Sequence, residues 1–505
     1  MGYGKVLRER IPLIKFLVNA QKTVWYPILF AVLCFVSGIN NHLVYTPIIW
    51  VLCGFVVFTA LFTDDNKVFL VPMLMIYYSI GQDSHVDWNK TPGEMLLAFE
   101  EEAFLQIIIC GIIAATALFV RLIADGSIAY AFKKRKALTL GFLAMLGVSM
   151  LNGLLNPQYQ ISNLIWGTIC GAVMLLFYFC TIGMLQKSSD PLPYACRTMV
   201  CTAYMALAQI AVVALRLHEQ DKFFIYDKSG AITHINRVGL VLGWGLPTMI
   251  ALVFVLGIPA AMYLAKNSKY GVLHFCSALI FIVGAVVINT RSALFVGIAA
   301  LTVCCVLCCI GGKNRKSCRI FTSILVLAGS AAVIYVSVRW GKFDNIVDKI
   351  LDIMRFDDLE GGRGEIWENA IADFKQFPIF GIGLADGGFD ADSTLNNVFC
   401  NMYHNIGFQF LAGMGIVGAA AFIFHLVELG KLFFVRFSLD KFLLMLIPVM
   451  IIGSSLVDNF FFYPNFQIFY GVFLALAEMV QNPTSDKIKI TECNSNKEID
   501  TQTNV

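Results

Sequence analysis

Hydrophobic residues make up 58% of this 505-residue chain and charged ones only 14%, and a mean hydropathy of +0.73 leaves too little polar surface for a soluble globular domain. A formal net charge of +3 gives no electrostatic footprint for nucleic acid. Gly311-Gly312-Lys313 lacks both the upstream glycine and the following Ser/Thr of a phosphate-cradling loop, so ATP hydrolysis has no visible seat.

The composition predicts an all-α polytopic membrane protein. A helix needs about 20 mostly apolar residues to cross ~30 Å of hydrocarbon. Stretches of that order recur along the chain, about fourteen in all. They begin with Trp25–Asn40, Leu43–Phe62 and Val68–Ile80, of which the first and third are short. Ala103–Val120, Ala137–Leu155, Ile161–Leu185 and Tyr194–Leu215 follow, then Val238–Ala265, Gly271–Ile288, Ser292–Ile310 and Ile320–Val338. The last three are Ile406–Val427, Phe442–Leu456 and Phe460–Val480. The expected fold is therefore about 12–14 transmembrane helices with one large helical extracytoplasmic loop. No small-residue cleavage site follows the first apolar run, so it reads as a span and not a signal peptide.

Charge orients the spans. Lys5, Arg8, Arg10, Lys15 and Lys22 precede the first one, and Lys133-Lys134-Arg135-Lys136 and Lys313, Arg315, Lys316 and Arg319 fall on the same side. By the positive-inside rule both termini are cytoplasmic, and the segments Asp83–Glu102, His218–Arg237 and Trp340–Tyr403 face outward. The organisation expected is N-terminal spans over 1–230, a core of spans over 231–339, the loop over 340–403, C-terminal spans over 404–480, and a polar, disordered cytoplasmic tail over 481–505.

The outer loop alternates apolar residues at helical spacing with acids on the opposite face. Asp344–Phe356 and Gly364–Phe377 both read as amphipathic helices lying on the membrane surface or roofing a cavity. Pro378 and the glycines at 381, 383, 387 and 388 then break the pattern, and Asn401–His404 leads into the next span. An acidic lid that only solubilises the outer face is the plainer account, but the loop is long for a simple connection.

Fifteen cysteines raise a metal or redox reading. Cys304, Cys305, Cys308 and Cys309 sit in a continuous apolar run with no His or acidic partner, so they read as small hydrophobes. Asp390-Ala391-Asp392 is a carboxylate pair of the kind that holds metals, but it lies in an already acid-rich loop, and no metal or other cofactor is expected.

Three ionisable residues carry chemical interest. Arg291 stands at the outer mouth of a span, where a charge is costly and usually functional, although a helix-end arginine reaching headgroups fits too. Arg363 sits in the polar loop, where its planar fork suits phosphate oxygens and where pairing with Glu365 or Asp357 is the alternative. His404 precedes a span whose N-terminus points outward, so the positive helix end favours a neutral ring able to accept a proton. A capping or headgroup-contacting histidine is the alternative. Asn405 would orient that ring or donate to substrate, and Trp367 or Tyr403 could stack on a sugar.

The order Thr290-Arg291-Ser292 before a span, Arg363 with Trp367 four residues on, Pro378 with Gly381 and Gly383, then His404-Asn405 and the Gly413–Gly418 span resembles the O-antigen ligase and polysaccharide polymerase family. His234-Ile235-Asn236, with Leu246-Pro247 beyond, resembles the family's approach to an earlier span. The resemblance covers roughly Ala231–Phe434. It implies a GT-C-like fold in the cytoplasmic (inner) membrane and an inverting, metal-independent glycosyltransferase. The implied donor is a polyprenyl-diphosphate-linked glycan, and the acceptor a glycan or lipid. Arg291 and Arg363 would hold diphosphate and His404 would activate the acceptor, with Asn405, Trp367, Tyr403, Glu365 and Asn236 around the substrate. Membrane lipids, a chain-length regulator and a flippase are the partners such an enzyme would meet.

Two features depart from the pattern: Thr290 stands where serine is usual before the arginine, and the spans outnumber the dozen expected. Polymerisation of lipid-linked repeat units is preferred slightly over en bloc ligation to a lipid or cell-wall acceptor, because nothing here speaks for a lipid A-type acceptor. A flippase or exporter of lipid-linked sugars is the reading of another class. It would show two related halves, charges at mid-bilayer and no large outer loop.

Overall fold

The computed structural model describes residues 2–39, 42–81, 101–133, 135–155, 161–226, 232–236, 239–288, 290–340, 363–384 and 403–481. The expected helix at Asp344–Phe356, the Asp390–Asp392 pair and the tail beyond 481 lie outside these residues. What is described is an all-α polytopic membrane protein. Among the described residues seven helices are long and apolar enough to cross a bilayer on their own. Shorter apolar helices at Thr46–Phe62, Thr139–Leu155 and Pro464–Val480 pack among them.

The centre of the bundle is the helix Pro247–Asn267, which is apolar all round and buried along almost its whole length. A helix without a polar face belongs in the interior. It packs on the helices Pro191–Glu219, Gly271–Ile288, Arg291–Ile310 and Leu439–Ser454. Gly257 permits the closest approach: a Cβ there would stand 2.8 Å from the Ala203 Cβ and 2.9 Å from the Phe281 ring. Small residues at such crossings are what membrane helices use in place of a hydrophobic driving force.

Named contacts sort the helix termini onto two ends. At one, Lys266 pairs with Asp440 at 2.6 Å and Asn314 donates to the Ala265 carbonyl at 2.8 Å. That end also holds Arg135, paired with Glu428 at 3.3 Å. Glu428 and Glu478 accept from the Gly141 and Ala137 amides, so they cap the start of the helix Thr139–Leu155. At the other end the Ile406 amide donates to the Ser455 carbonyl at 2.7 Å, and the helix Pro247–Asn267 begins. Chain direction alternates between the two ends, so Arg291, Tyr403, His404 and the 455–463 connection all lie at the second.

Several expected spans are not continuous helices, and two of them depart most from the expectation. Over Val68–Ile80 the chain forms a 3-10 turn at Asn66–Phe69, a short helix at Leu70–Met75 and a second 3-10 turn at Ile76–Ser79. Irregular backbone at membrane depth survives only when protein satisfies it. Here Ser37 donates to the Ser79 carbonyl at 2.5 Å, and Gln209 to the Tyr78 carbonyl at 3.0 Å. The expected span Val238–Ala265 becomes helical only at Pro247, because proline is suited to the first helical turn. The residues before it close a turn bridged between Leu242 and Gly245, pinned by Trp244 donating to Gln209 at 2.9 Å. An antiparallel hairpin, Phe224–Tyr226 with Ile232–Ile235, is a further departure from the all-helical expectation.

The amphipathic helix expected in the outer loop forms at Gly364–Gln376. Ile366 and Ala370 pack with Tyr403, Phe408 and Ala412 at the start of the helix Ile406–Phe434. The segment after Pro378 then docks against that helix where it breaks at Gly415, whose φ is +67°. Ile382 and Gly383 donate to the Ala412 and Gly413 carbonyls at 2.9 and 3.0 Å, and Ile416 donates to the Pro378 carbonyl at 2.9 Å. Asn152 donates to the Gly413 carbonyl at 2.8 Å and also to that of Phe380. Every peptide group freed by the break that these bonds reach has found a partner within the protein.

Candidate active site

His404 precedes the N-cap of the helix Ile406–Phe434 and takes a left-handed backbone, φ +52°. Such a conformation in a non-glycine residue costs about 1–3 kcal/mol and persists where neighbours over-determine it. The neighbours here are specific. Asn405 accepts from the Gly407 and Phe408 amides at 2.8 and 3.2 Å, and its own amide donates to the Leu456 carbonyl at 2.8 Å. The helix start is thereby tied to the 455–463 connection. That leaves the His404 ring, half-buried, with Nδ1 at 3.0 Å from Asp458 Oδ1.

Asp458 is buried, and burial alone would raise its carboxyl. The His404 hydrogen bond, the nearby Arg363 guanidinium and the Asn459 amide outweigh that and hold it below the ordinary carboxylate value. An ionised carboxylate only accepts, so Nδ1 turns its N–H to Asp458 and Nε2 is the ring nitrogen left facing away from it.

Arg363 immediately precedes the loop helix and donates from its guanidinium to the Val457 carbonyl. His404 and Arg363 are thus anchored to consecutive residues of one short connection, Val457 and Asp458. Arg291 is the first residue of the helix Arg291–Ile310, half-buried, at the same end of the bundle.

The other candidates fall into two groups. Trp367 is half-buried, stacks on Phe408 with ring centres 5.6 Å apart and donates to the Tyr403 carbonyl at 3.0 Å. Glu365 is exposed in the first turn of the loop helix. Both border the His404 end. Tyr403 is only 1% exposed, so its ring is no stacking platform for a sugar. Its hydroxyl donates to Asp373 at 2.6 Å, and burial with that carboxylate pushes the phenol up, keeping it a neutral donor. Asn236 ties the hairpin instead, donating to the Lys222 carbonyl at 2.9 Å and accepting from Gly239 at 3.2 Å.

Sequence reasoning missed Asp458 altogether, and with it Asn459 and Gln409. Gln409 accepts from both the Tyr403 amide at 3.1 Å and the Asn459 side chain at 2.6 Å, locking the two strands of the site together. The available signal was a lone carboxylate in the Leu456–Phe462 run, between two apolar stretches.

Residues 276–423 match the family model described as O-antigen ligase. The match takes in Arg291, Arg363 and His404 and stops short of Asp458. No curated protein matches the chain.

Proposed function

We propose, from the match of residues 276–423 to the O-antigen ligase family model and from the site geometry, that this membrane protein is a polymerase of polyprenyl-diphosphate-linked oligosaccharide repeat units. It works at the outer face of the cytoplasmic membrane. The Arg135, Lys266, Arg315 and Arg319 end is the basic one, and the positive-inside rule assigns it to the cytoplasm, leaving the His404 end outside.

The observation that carries the chemistry is the His404–Asp458 hydrogen bond beside Arg363. The acceptor hydroxyl gives its proton to His404 Nε2 as its oxygen bonds to the anomeric carbon of the donor. The bond from that carbon to the diphosphate oxygen breaks on the opposite face, with inversion, and its electron pair leaves with the diphosphate. Asp458 keeps Nε2 the free nitrogen and stabilises the imidazolium that forms. Arg363 and Arg291 meet the charge that builds on the leaving diphosphate. The acceptor hydroxyl and both glycans come from outside the membrane, and no metal is needed to form the nucleophile.

Purified protein with a defined lipid-linked repeat unit tests this. Ladders of increasing length are the expected product, and one block added to a foreign lipid would mean ligation. Movement of the lipid across a vesicle membrane with no new glycosidic bond would refute both. Arg363→Lys keeps the charge but loses the fork, and kcat/KM for the donor should fall roughly 10–150-fold, the equivalent of about 1.5–3 kcal/mol for a charge-assisted hydrogen bond.

A further inference from the structure

At the His404 end a groove of about 610 Å³ runs between the helices Pro191–Glu219 and Gly271–Ile288, and the transfer chemistry makes no use of it. Leu207, Ala211 and Leu215 form one wall, and Ile280, Val283 and Val287 the other. Gly284 closes the floor: a Cβ there would stand 2.8 Å from Leu207 and 3.0 Å from Phe254, so the groove is a surface channel and not a pore. Its flank is open to the bilayer, for Leu215 and Val283 are 62% and 60% exposed. From Leu207 to His218 the wall rises about 16 Å at the helical repeat, roughly the depth of one leaflet.

The mouth of the channel distinguishes it from an ordinary lipid-facing seam. His218 and the ring of Phe224, at the base of the hairpin, cover its top. On the other wall it ends at Ile288, and Arg291 opens the next helix three residues further on. A chain lying in the groove with its head at the top therefore brings that head to the guanidinium end of the bundle. An isoprenoid diphosphate has the matching form: a long apolar tail without polar groups and a doubly charged head that suits arginine.

We propose that this groove seats the head-proximal isoprene units of the donor's polyprenyl chain, and so fixes the diphosphate at Arg291. The proposal rests on the transferase reading for its occupant. It also makes the tail a determinant of substrate choice, since a lipid-linked glycan with a short tail would forgo the lower part of the groove.

Two measurements on the full-length protein in lipid nanodiscs test it. Ala211→Trp fills the groove about 10 Å below its mouth, at the limit of what a two-isoprene tail reaches. The KM for an undecaprenyl donor should rise about tenfold, the worth of about two buried methylenes. The KM for a geranyl donor and both kcat values should stay put. Unchanged KM with the long donor overturns the proposal, and so does an equal loss with both donors. The wild-type protein is also photolabelled with a polyprenyl diphosphate bearing a diazirine near its head. Labels should fall within 207–218 or 280–288 and be competed by unlabelled polyprenyl diphosphate but not by phospholipid. Labels elsewhere, or equal competition by phospholipid, overturn the assignment. Failure of the wild type to turn over either donor would sink the transferase reading alone, with the labelling still reporting on the groove.

Discussion

His404 and Asp458 meet at 3.0 Å although they belong to two different connections, one entering the helix Ile406–Phe434 and the other joining Leu439–Ser454 to Pro464–Gln481. The contact exists because both connections are tied down on either side of it. Ile406 is bonded to Ser455 and Asn405 to Leu456, and Arg363 holds Val457. An orienting carboxylate held by backbone bonds does not have to be recruited when substrate binds.

That arrangement makes the effects of two substitutions separable. His404→Ala removes the base and should lower kcat by about 10²–10⁴-fold with the protein still inserted. Asp458→Asn keeps the Oδ1 acceptor that the His404 ring and the Asn459 amide share but removes the negative charge, so the imidazolium formed in the reaction loses its stabilisation. A fall of similar order, on the order of 10²-fold or more, is expected in kcat with little change in KM for the donor. Wild-type kcat in Asp458→Asn would remove the carboxylate from its role in stabilising the imidazolium, and wild-type kcat in His404→Ala would remove the imidazole from its role as base.

The same carboxylate predicts a pH dependence of stability. Asp458 is held below the ordinary carboxyl value of 3.8, so its contribution is complete above that value and is lost as the pH falls through the lower, folded-state one. Thermal unfolding followed from neutral pH into acid should show the wild type losing stability in that window. Asp458→Asn should show a flatter curve there, and the two curves should converge at the acid end. A variant curve parallel to the wild type would mean that Asp458 is not held ionised by its neighbours.

The docking of the Pro378–Leu384 segment on the broken helix predicts an intolerant glycine. Gly381 has φ +73°, and a Cβ on it would run into the Gly413 carbonyl. Gly381→Ala should therefore destabilise the protein by about 1–3 kcal/mol through backbone strain alone, with more from the displaced contact. Gly147, in the helix Thr139–Leu155, is the control: a Cβ there meets nothing within 4 Å. Gly147→Ala should be stabilising by about 0.5–1 kcal/mol. Melting of the two variants in the same detergent reads the difference.

Much of this could be read in the sequence because it depended on local pattern. Hydropathy located the long apolar helices such as Gly271–Ile288 and Arg291–Ile310, and the spacing of Ile366, Trp367 and Ala370 located the loop helix, since both signals are written within a short stretch of neighbouring residues. The span Val68–Ile80 misled because its composition is apolar while its backbone is held by Ser37 and Gln209, which lie far away in the chain. The start of the next misread span was signalled by Pro247 and overlooked in favour of the apolar residues before it. Asp458 escaped for another reason. Its partner is 54 positions away, and only the folded bundle brings the two connections together.

Asn405 separates a substrate-binding role from a structural one. Its side chain already accepts from two amides and donates to Leu456, which is the full geometry of an N-cap. Asn405→Ala should cost about 0.5–2 kcal/mol of stability, the usual worth of such a cap. Asn405→Ser restores the capping acceptor but not the long amide, so it should recover most of that stability and lose only the bond to Leu456. If the residue acts only as a cap and brace, kcat of Asn405→Ser at saturating donor should stay within a few-fold of wild type, because His404 keeps Asp458. A collapse of activity in a serine variant as stable as the wild type would instead put the Asn405 amide on the glycan.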